Sequence, residues 1–213
     1  LQVMYGAKFK AEVNSTDTTI ETTNVQRGMV YDSTGKVLVG NKAHQAISYT
    51  KGVNVLSTSM YDIANKLGNY LTVSTSTLTP RQSIDYYLTD QNRLKAVESK
   101  LSGTKGLSTT ALYNKALAYL ENDSSFKLTK TQKNAAAIFA KMSGAYALST
   151  TYIKDSGVSS QEIAQIGEHL SEMPGVQVGT SWSRNYPNGK SMNSIIGTVS
   201  SEKTGLPSDT VNE

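Results

Sequence analysis

The sequence predicts an α+β fold in which a β-rich unit, built from two distant segments, is interrupted by a helical lobe. Three observations predict this class. Residues 23–57 and 145–213 carry strand-like patterns, residues 58–144 change to helical periodicity, and helix-start signals recur within that central region. The first 22 residues begin apolar and continue as a Ser/Thr-rich tract, which we interpret as a stalk.

A β-hairpin is predicted in residues 25–39, where short apolar runs flank an Asp-x-x-Gly turn. Asp32 can accept a hydrogen bond from the backbone N–H two residues on, and Gly35 can adopt the positive φ that closes a type I turn with a bulge. A further strand is predicted at residues 46–49, with side chains that alternate between two faces as in a half-buried strand.

The helical lobe is predicted from capping patterns. Thr79 and Thr129 each stand three residues before a glutamine, which is the spacing of a capping box, and Pro80 suits the first position of a helix. Between these two starts, four apolar residues share one face at helical spacing. They are Leu112, Ala116, Leu117 and Leu120.

After the lobe, residues 147–153 return to strand-like composition. Ser159 and Glu162 then predict the capped start of another helix, which Pro174 and Gly175 end. The apolar face of this helix consists of Ile163, Ile166, Leu170 and Met173. Residues 176–199 supply the last strands, which complete the β-rich unit.

Composition excludes several classes of function. The chain has no cysteine, which excludes disulfides, thiolate catalysis and cysteine-ligated zinc. Its 21 basic and 17 acidic residues leave a net charge of +4 that is spread along the chain, without the basic stripe typical of nucleic-acid binding. No apolar run approaches the roughly 20 residues of a transmembrane helix. We expect no nucleic-acid partner.

Residues that could bind a metal or a cofactor are sparse. His44 and His169 are the only histidines, and neither has a second ligand at metal spacing. No glycine-rich phosphate loop or dinucleotide fingerprint is present. We therefore expect no metal, no cofactor and no catalytic residue in this chain. The single Trp182, near Tyr186, favours packing over a sugar-stacking platform.

Two remote motifs together resemble the non-catalytic N-terminal module of class B penicillin-binding proteins. The first motif combines Arg27, Gly28, Asp32 and Gly35 in the order Arg-Gly-x-x-x-Asp-x-x-Gly. The second contains Arg184, Tyr186 and Pro187 in an Arg-x-Tyr-Pro turn, followed by an apolar strand that ends at Gly197. Residues 78–88 and 200–207 further resemble the 2B type of this family in Gram-positive cocci.

The resemblance implies a larger parent protein. In this family the parent is held at the extracellular face of the cytoplasmic membrane by one upstream anchor helix, which this chain does not contain. The parent's transpeptidase domain, expected beyond residue 213, cross-links peptidoglycan stem peptides through an acylated serine. The resemblance further implies that the module supports that domain, contacts other division or elongation membrane proteins and self-associates.

The catalytic signatures of the family occur in this chain only as strings without the required separation. Ser-x-x-Lys occurs five times, beginning at Ser33, Ser48, Ser102, Ser124 and Ser200. Ser191-Met192-Asn193 and Lys203-Thr204-Gly205 lie ten residues apart, although such signatures come from separate parts of a large fold. We therefore interpret the motif residues as architectural rather than catalytic.

Our hypothesis is that the two motif segments pair in one sheet, with Arg27 and Arg184 near its junction with the transpeptidase domain. Gly28 and Gly197 are expected to allow close backbone approach, and Pro187 to rigidify the turn. The alternative is a secreted module that binds cell-wall glycan, in which the helical lobe and Trp182 build a groove.

Overall fold

The computed structural model describes residues 26–187, and its elements confirm the α+β class. The strands of this part of the chain are β1 (Val30–Tyr31), β2 (Val37–Thr50), β3 (Thr150–Lys154) and β4 (Val176–Asn185). They form one sheet in which β2 pairs with each of the others. β1 and β3 both run antiparallel to β2.

Six α-helices lie in the described residues, and five of them fall between β2 and β3. They are α1 (Ser57–Gly68), α2 (Pro80–Thr89), α3 (Gln91–Glu98), α4 (Thr109–Glu121), α5 (Lys130–Ser143) and α6 (Ser160–Glu168). A single 3₁₀ turn at Leu170–Glu172 follows α6. None of the helices in residues 26–187 is long and apolar enough to cross a bilayer.

The predicted helix starts are confirmed. Thr79, Thr129 and Ser159 each accept a hydrogen bond from the backbone N–H three residues on, and the reciprocal side-chain bond of a capping box is present in all three. Asp90 and Ser108 cap α3 and α4 in the same region. α1 differs, because its N-cap is Leu56, which supplies no capping side chain.

The strand predicted at residues 46–49 is the continuation of the hairpin's second strand, not a separate element. The prediction of a half-buried strand there is wrong, since Ala46, Ile47, Ser48 and Tyr49 are all buried. The segment is buried on both faces, and period-two alternation of buried and exposed residues does not describe such a strand.

Two apolar clusters form the interior of the larger part of the fold. The main cluster joins the ends of the sheet to α1 and α5, with Ile47, Tyr49 and Ile153 packed among helical residues such as Leu67 and Ile138. The second cluster lies between α2, α3 and α4 and includes Ala116, Leu117 and Leu120 from the predicted apolar face of α4. The main cluster therefore serves both the strand ends and the helices α1 and α5, whereas the second cluster is purely helical.

Contacts divide the chain into two compact units. Among the described residues, the larger unit is His44–Ser181 and the smaller unit holds residues 26–43 and 182–187. The smaller unit is thus built from two segments that are remote in sequence. The predicted boundaries at residues 23–57 with 145–213 and at 58–144 stay a prediction, and the stalk at residues 1–22 lies outside the described residues.

Candidate interdomain site

The hairpin turn of the first motif is organised by Asp32. Its Oδ1 accepts hydrogen bonds from the backbone N–H of Thr34 at 2.8 Å, the Thr34 hydroxyl at 2.6 Å and the backbone N–H of Lys36 at 2.9 Å. The Thr34 hydroxyl and the Lys36 N–H lower the pKa of this carboxyl, because they bind its charged form. The predicted bond to the N–H two residues on is therefore confirmed.

The two glycines of the first motif have different reasons to be present. Gly35 has φ of +84°, the left-handed conformation predicted for the turn. The steric reason expected for Gly28 stays a prediction, since a Cβ atom placed there would meet no atom of residues 26–187 within 4 Å. Gly28 contributes its backbone carbonyl, as the partner of Arg184.

Arg184 joins the two remote motif segments within the smaller unit. Its Nη1 donates to the Gly28 carbonyl at 2.5 Å and to Asn41 Oδ1 at 3.3 Å. Asn41 Nδ2 in turn donates to the Arg27 carbonyl at 2.5 Å. Arg184 and Gly28 are 156 positions apart, so this network ties together chain segments that only the fold brings into contact.

The two arginines therefore play unequal parts. Arg27 is exposed and contributes its carbonyl to the network, whereas Arg184 is half-buried near the end of β4. Arg184 Nε is fully buried and has no hydrogen-bond partner among the described residues. A charged donor in this position favours a carboxylate or carbonyl acceptor from outside the described residues.

The other residues of the second motif are only partly described. Tyr186 is half-buried and follows β4 directly, and Pro187 is an exposed turn residue. Gly197 lies outside the described residues. Hence the structure brings Arg27, Gly28 and Arg184 together in the smaller unit, and the expected strand at Gly197 stays a prediction.

Asn41 is the network residue that the sequence analysis missed. It sits inside β2, where asparagine is an unfavourable residue, and it follows Gly40. The sequence analysis predicted a separate strand at residues 46–49 and assigned no role to Asn41. Because Lys42, His44 and Gln45 also lie on β2, no local signal distinguished Asn41 as a residue with a specific partner.

The Ser-x-x-Lys strings in the described residues lack the expected contact between hydroxyl and ammonium. Ser48 is buried on β2, but Lys51 Nζ donates to the carbonyls of Ala145 and Ser143, at 3.2 and 3.4 Å. Ser33, Ser102 and Ser124 are exposed in loops. The strings at Ser191, Ser200 and Lys203 lie outside the described residues.

No group of three metal-ligating side chains occurs within residues 26–187. His169 Nδ1 lies 3.0 Å from Glu172 Oε1, and its ring stacks on Tyr70 with 4.7 Å between the ring centroids. Trp182 is half-buried on β4, and it does not line the open groove of the helical lobe, which contains Lys115, Tyr119 and Asn122. The geometry of the motif residues is that of a joint between chain segments.

Comparison with known proteins agrees with this geometry. The family model described as the penicillin-binding protein dimerisation domain matches residues 22–212. The chain belongs to this family. The match covers both motif segments, so the family predicted from Arg27, Gly28, Arg184 and Pro187 is confirmed.

Relatives of this dimerisation domain include named penicillin-binding proteins. The chain is 32% identical to penicillin-binding protein 2A of Bacillus subtilis, over 98% of the chain and 30% of that protein. It is also 32% identical to penicillin-binding protein 2B of Streptococcus pneumoniae, over 98% of the chain and 32% of that protein. The dimerisation domain thus spans about a third of the length of these relatives.

Solved structures give the same result. The fold matches penicillin-binding protein 2B of Streptococcus pneumoniae strain 5204 with a TM-score of 0.65 and 32% identity, over 88% of this chain and 29% of that one. The same protein from strain R6 matches with a TM-score of 0.63 and 33% identity, over 87% and 29%. The resemblance to the 2B type is therefore confirmed in both sequence and structure.

Proposed function

We propose that this dimerisation domain is the non-catalytic scaffold of a membrane-anchored peptidoglycan DD-transpeptidase. It positions the penicillin-binding domain, which follows it in the parent chain, at the extracellular face of the cytoplasmic membrane. It also offers surfaces to other division or elongation membrane proteins and to a second copy of itself. The chain itself carries out no acyl transfer.

The network around Arg184 carries this proposal. Hydrogen bonds from Arg184 to Gly28 and Asn41 bring together the segments that precede and follow the larger unit. A rigid, hydrogen-bonded connection between these two segments is what a supporting module requires. Force applied at one end of the chain is then transmitted through the hydrogen bonds and not through a flexible loop. The names and lengths of the relatives support the presence of a further domain in the parent.

Arg184 Nε supplies a specific attachment point in this scheme. The group is a buried cationic donor without a partner in the described residues. Leaving such a donor unpaired costs about 1–3 kcal/mol. Docking of the adjoining domain would remove this cost if a carboxylate or carbonyl of that domain accepted a hydrogen bond from Arg184 Nε. We propose that Arg184 and Tyr186 face the junction with the penicillin-binding domain.

Labelling with a fluorescent penicillin tests whether acylation is confined to the penicillin-binding domain of the parent. We expect the full-length parent to form a covalent adduct and this 213-residue chain to form none, as judged by fluorescence in a denaturing gel and by intact mass. A stoichiometric adduct on any serine of this chain would contradict the proposal. Saturable binding of muropeptides that is lost in Trp182→Ala would favour the glycan-binding alternative instead.

A further inference from the structure

Two adjacent loops of the larger unit expose four large apolar side chains, which we name the apolar loop patch. Val53 and Leu56 lie between β2 and α1, and Tyr146 and Leu148 lie between α5 and β3. Their exposed fractions are 59%, 68%, 84% and 52%, respectively. Single exposed apolar residues are ordinary, whereas such a group on neighbouring loops indicates an interaction surface.

The backbone holds these two loops side by side. Leu148 N donates to the Lys51 carbonyl at 2.7 Å, and Lys51 N donates to the Ser149 carbonyl at 3.2 Å. Lys51 Nζ also donates to the carbonyls of Ala145 and Ser143 at the end of α5. The patch is therefore built on a hydrogen-bonded pair of loops.

Two residues of the patch, Leu56 and Leu148, are unfavourable for local stability. Leu56 is the N-cap of α1, although each of the other α-helices in the described residues has a serine, threonine or aspartate cap that accepts a backbone N–H. Leu148 has φ of +61°, a conformation that favours glycine or asparagine. Residues that break local rules while exposing apolar surface indicate a function other than folding.

The positive charge near the patch indicates that its partner is anionic. Residues 46–61, which include the first loop, contain Lys51 and no acidic residue. Lys141 lies in the last turn of α5, where its Nζ donates to the Ile153 carbonyl, and residues 124–154 contain no acidic residue. Lys154 is paired with Glu162, and Lys127, Lys130 and Lys133 lie in or before the first turn of α5, so we assign only Lys51 and Lys141 to the patch. Exposed tyrosine and leucine side chains beside lysines are typical of segments that lie in the headgroup region of an anionic bilayer.

We propose that the apolar loop patch is a peripheral membrane-contact site that takes an anionic phospholipid surface. Val53, Leu56, Tyr146 and Leu148 enter the headgroup region, and the lysines remain at the phosphate level. The proposal rests on the membrane anchor of the proposed function in one respect: tethering raises the effective concentration of lipid, so that weak contacts suffice. Such contact would fix the orientation of the scaffold relative to the membrane.

Vesicle sedimentation with this chain tests the proposal. We expect the chain to bind vesicles of equal parts phosphatidylglycerol and phosphatidylcholine more strongly than vesicles of phosphatidylcholine alone, and added salt to weaken that binding. Leu56→Ser, Leu148→Gly and Tyr146→Ser should each lower the partition coefficient by about three- to tenfold, because each removes apolar surface from the contact.

The chosen variants separate binding from folding. Serine can cap α1 and glycine accepts the φ of Leu148, so Leu56→Ser and Leu148→Gly should leave Tm unchanged or raise it. Leu107→Ser and Tyr119→Ser are matched controls, since these side chains are each 37% exposed and lie outside the patch. The controls should bind vesicles as the unaltered chain does.

Three results would overturn the membrane contact. The first is equal binding of the chain to both kinds of vesicle, and the second is an equal loss of binding in patch and control variants. The third is a patch variant that loses a dimer in sedimentation velocity but binds vesicles as before, which would assign the patch to a second copy of the chain. Penicillin labelling of the same chain remains a separate readout. A covalent adduct would contradict the proposed scaffold function alone, whereas absent vesicle binding would contradict the membrane contact alone.

Discussion

Gly175 occupies a position that no other residue fits. Its φ is +86°, and a Cβ atom there would lie 2.5 Å from the Thr50 carbonyl oxygen and 2.9 Å from the Tyr49 ring. The close approach exists because Thr50 N donates to the Gly175 carbonyl at 2.8 Å. The predicted end of the last helix at Pro174 and Gly175 is wrong, because α6 ends at Glu168 and Leu170 lies in the following 3₁₀ turn. Gly175 instead joins β2 to the start of β4.

Gly175→Ala is predicted to lower the free energy of unfolding by roughly 2–4 kcal/mol, since backbone atoms must move in addition to the strain in φ. Gly157→Ala is the control, because Gly157 has φ of +67° but nothing within 4 Å of its Cβ position. Gly157→Ala should lower the free energy of unfolding by only about 1 kcal/mol. Urea unfolding followed by circular dichroism measures both, and equal losses would contradict the steric account.

Glu162 connects three parts of the larger unit. Its carboxylate accepts from Ser159 N in the capping box of α6, from Thr72 N in the loop after α1, and from Lys154 Nζ on β3. Burial acts to raise its pKa, but the hydrogen bonds from Ser159, Thr72 and Lys154 outweigh burial and lower the pKa below 4.5. The ionised form is therefore stabilised in the folded state.

This lowered pKa predicts how stability depends on pH. The stabilisation from ionised Glu162 is complete above its unfolded pKa of about 4.5 and is lost as the pH falls through the lower folded pKa. The difference in unfolding free energy between the unaltered chain and Glu162→Gln should thus shrink below about pH 4.5. Urea unfolding from pH 7 to pH 3 measures it, with the exposed Glu168→Gln as control. A difference independent of pH would contradict the assignment.

Capping boxes define where α2, α5 and α6 begin, and their contribution can be measured on α5. Thr129→Ala removes the oxygen that accepts from Gln132 N and should lower the free energy of unfolding by about 1 kcal/mol. Thr131→Ala, two residues into the same helix and exposed, should change it by less than about 0.5 kcal/mol. Similar losses in both variants would show that the cap is not what stabilises this end.

The elements that were predictable from sequence are those whose signals are local. Three capping boxes and the Asp32 turn depend on residues within four positions of one another, and all are present. The start of α1 carried no such signal, because Leu56 is not a capping residue. The role of Asn41 carried no local signal either, since its hydrogen-bond partners come from residues 27 and 184.

Burial of residues 46–49 on both faces was unpredictable for a related reason. The strand β3 pairs with this segment from about a hundred positions away, and among the helices that share its core, α5 lies more than 80 positions further along the chain. Period-two alternation describes a strand with one solvent-exposed face, so it does not predict the burial of a strand that is covered on both faces. Only tertiary packing decides between the two.

For the whole molecule, two short motifs predicted the family, because the fold brings them to one joint. The predicted domain boundaries stay a prediction. In the described part of the chain, the helices share a core with the strand ends, and the smaller unit contains the motif segments. The chain spans about a third of the length of the relatives that it matches. The proposed scaffold function depends on the joint around Arg184 more than on any single helix.

Hydrogen–deuterium exchange of Arg184→Ala tests that joint most directly, with the exposed hairpin variant Lys36→Ala as control. We predict that exchange in residues 26–43 and 182–187 becomes about tenfold faster in Arg184→Ala, while exchange in α1 and α5 stays unchanged. Lys36→Ala should leave both segments protected. Unchanged exchange at residues 26–43 in Arg184→Ala, or acceleration of equal size throughout the chain, would contradict the claim that the two remote segments form one support.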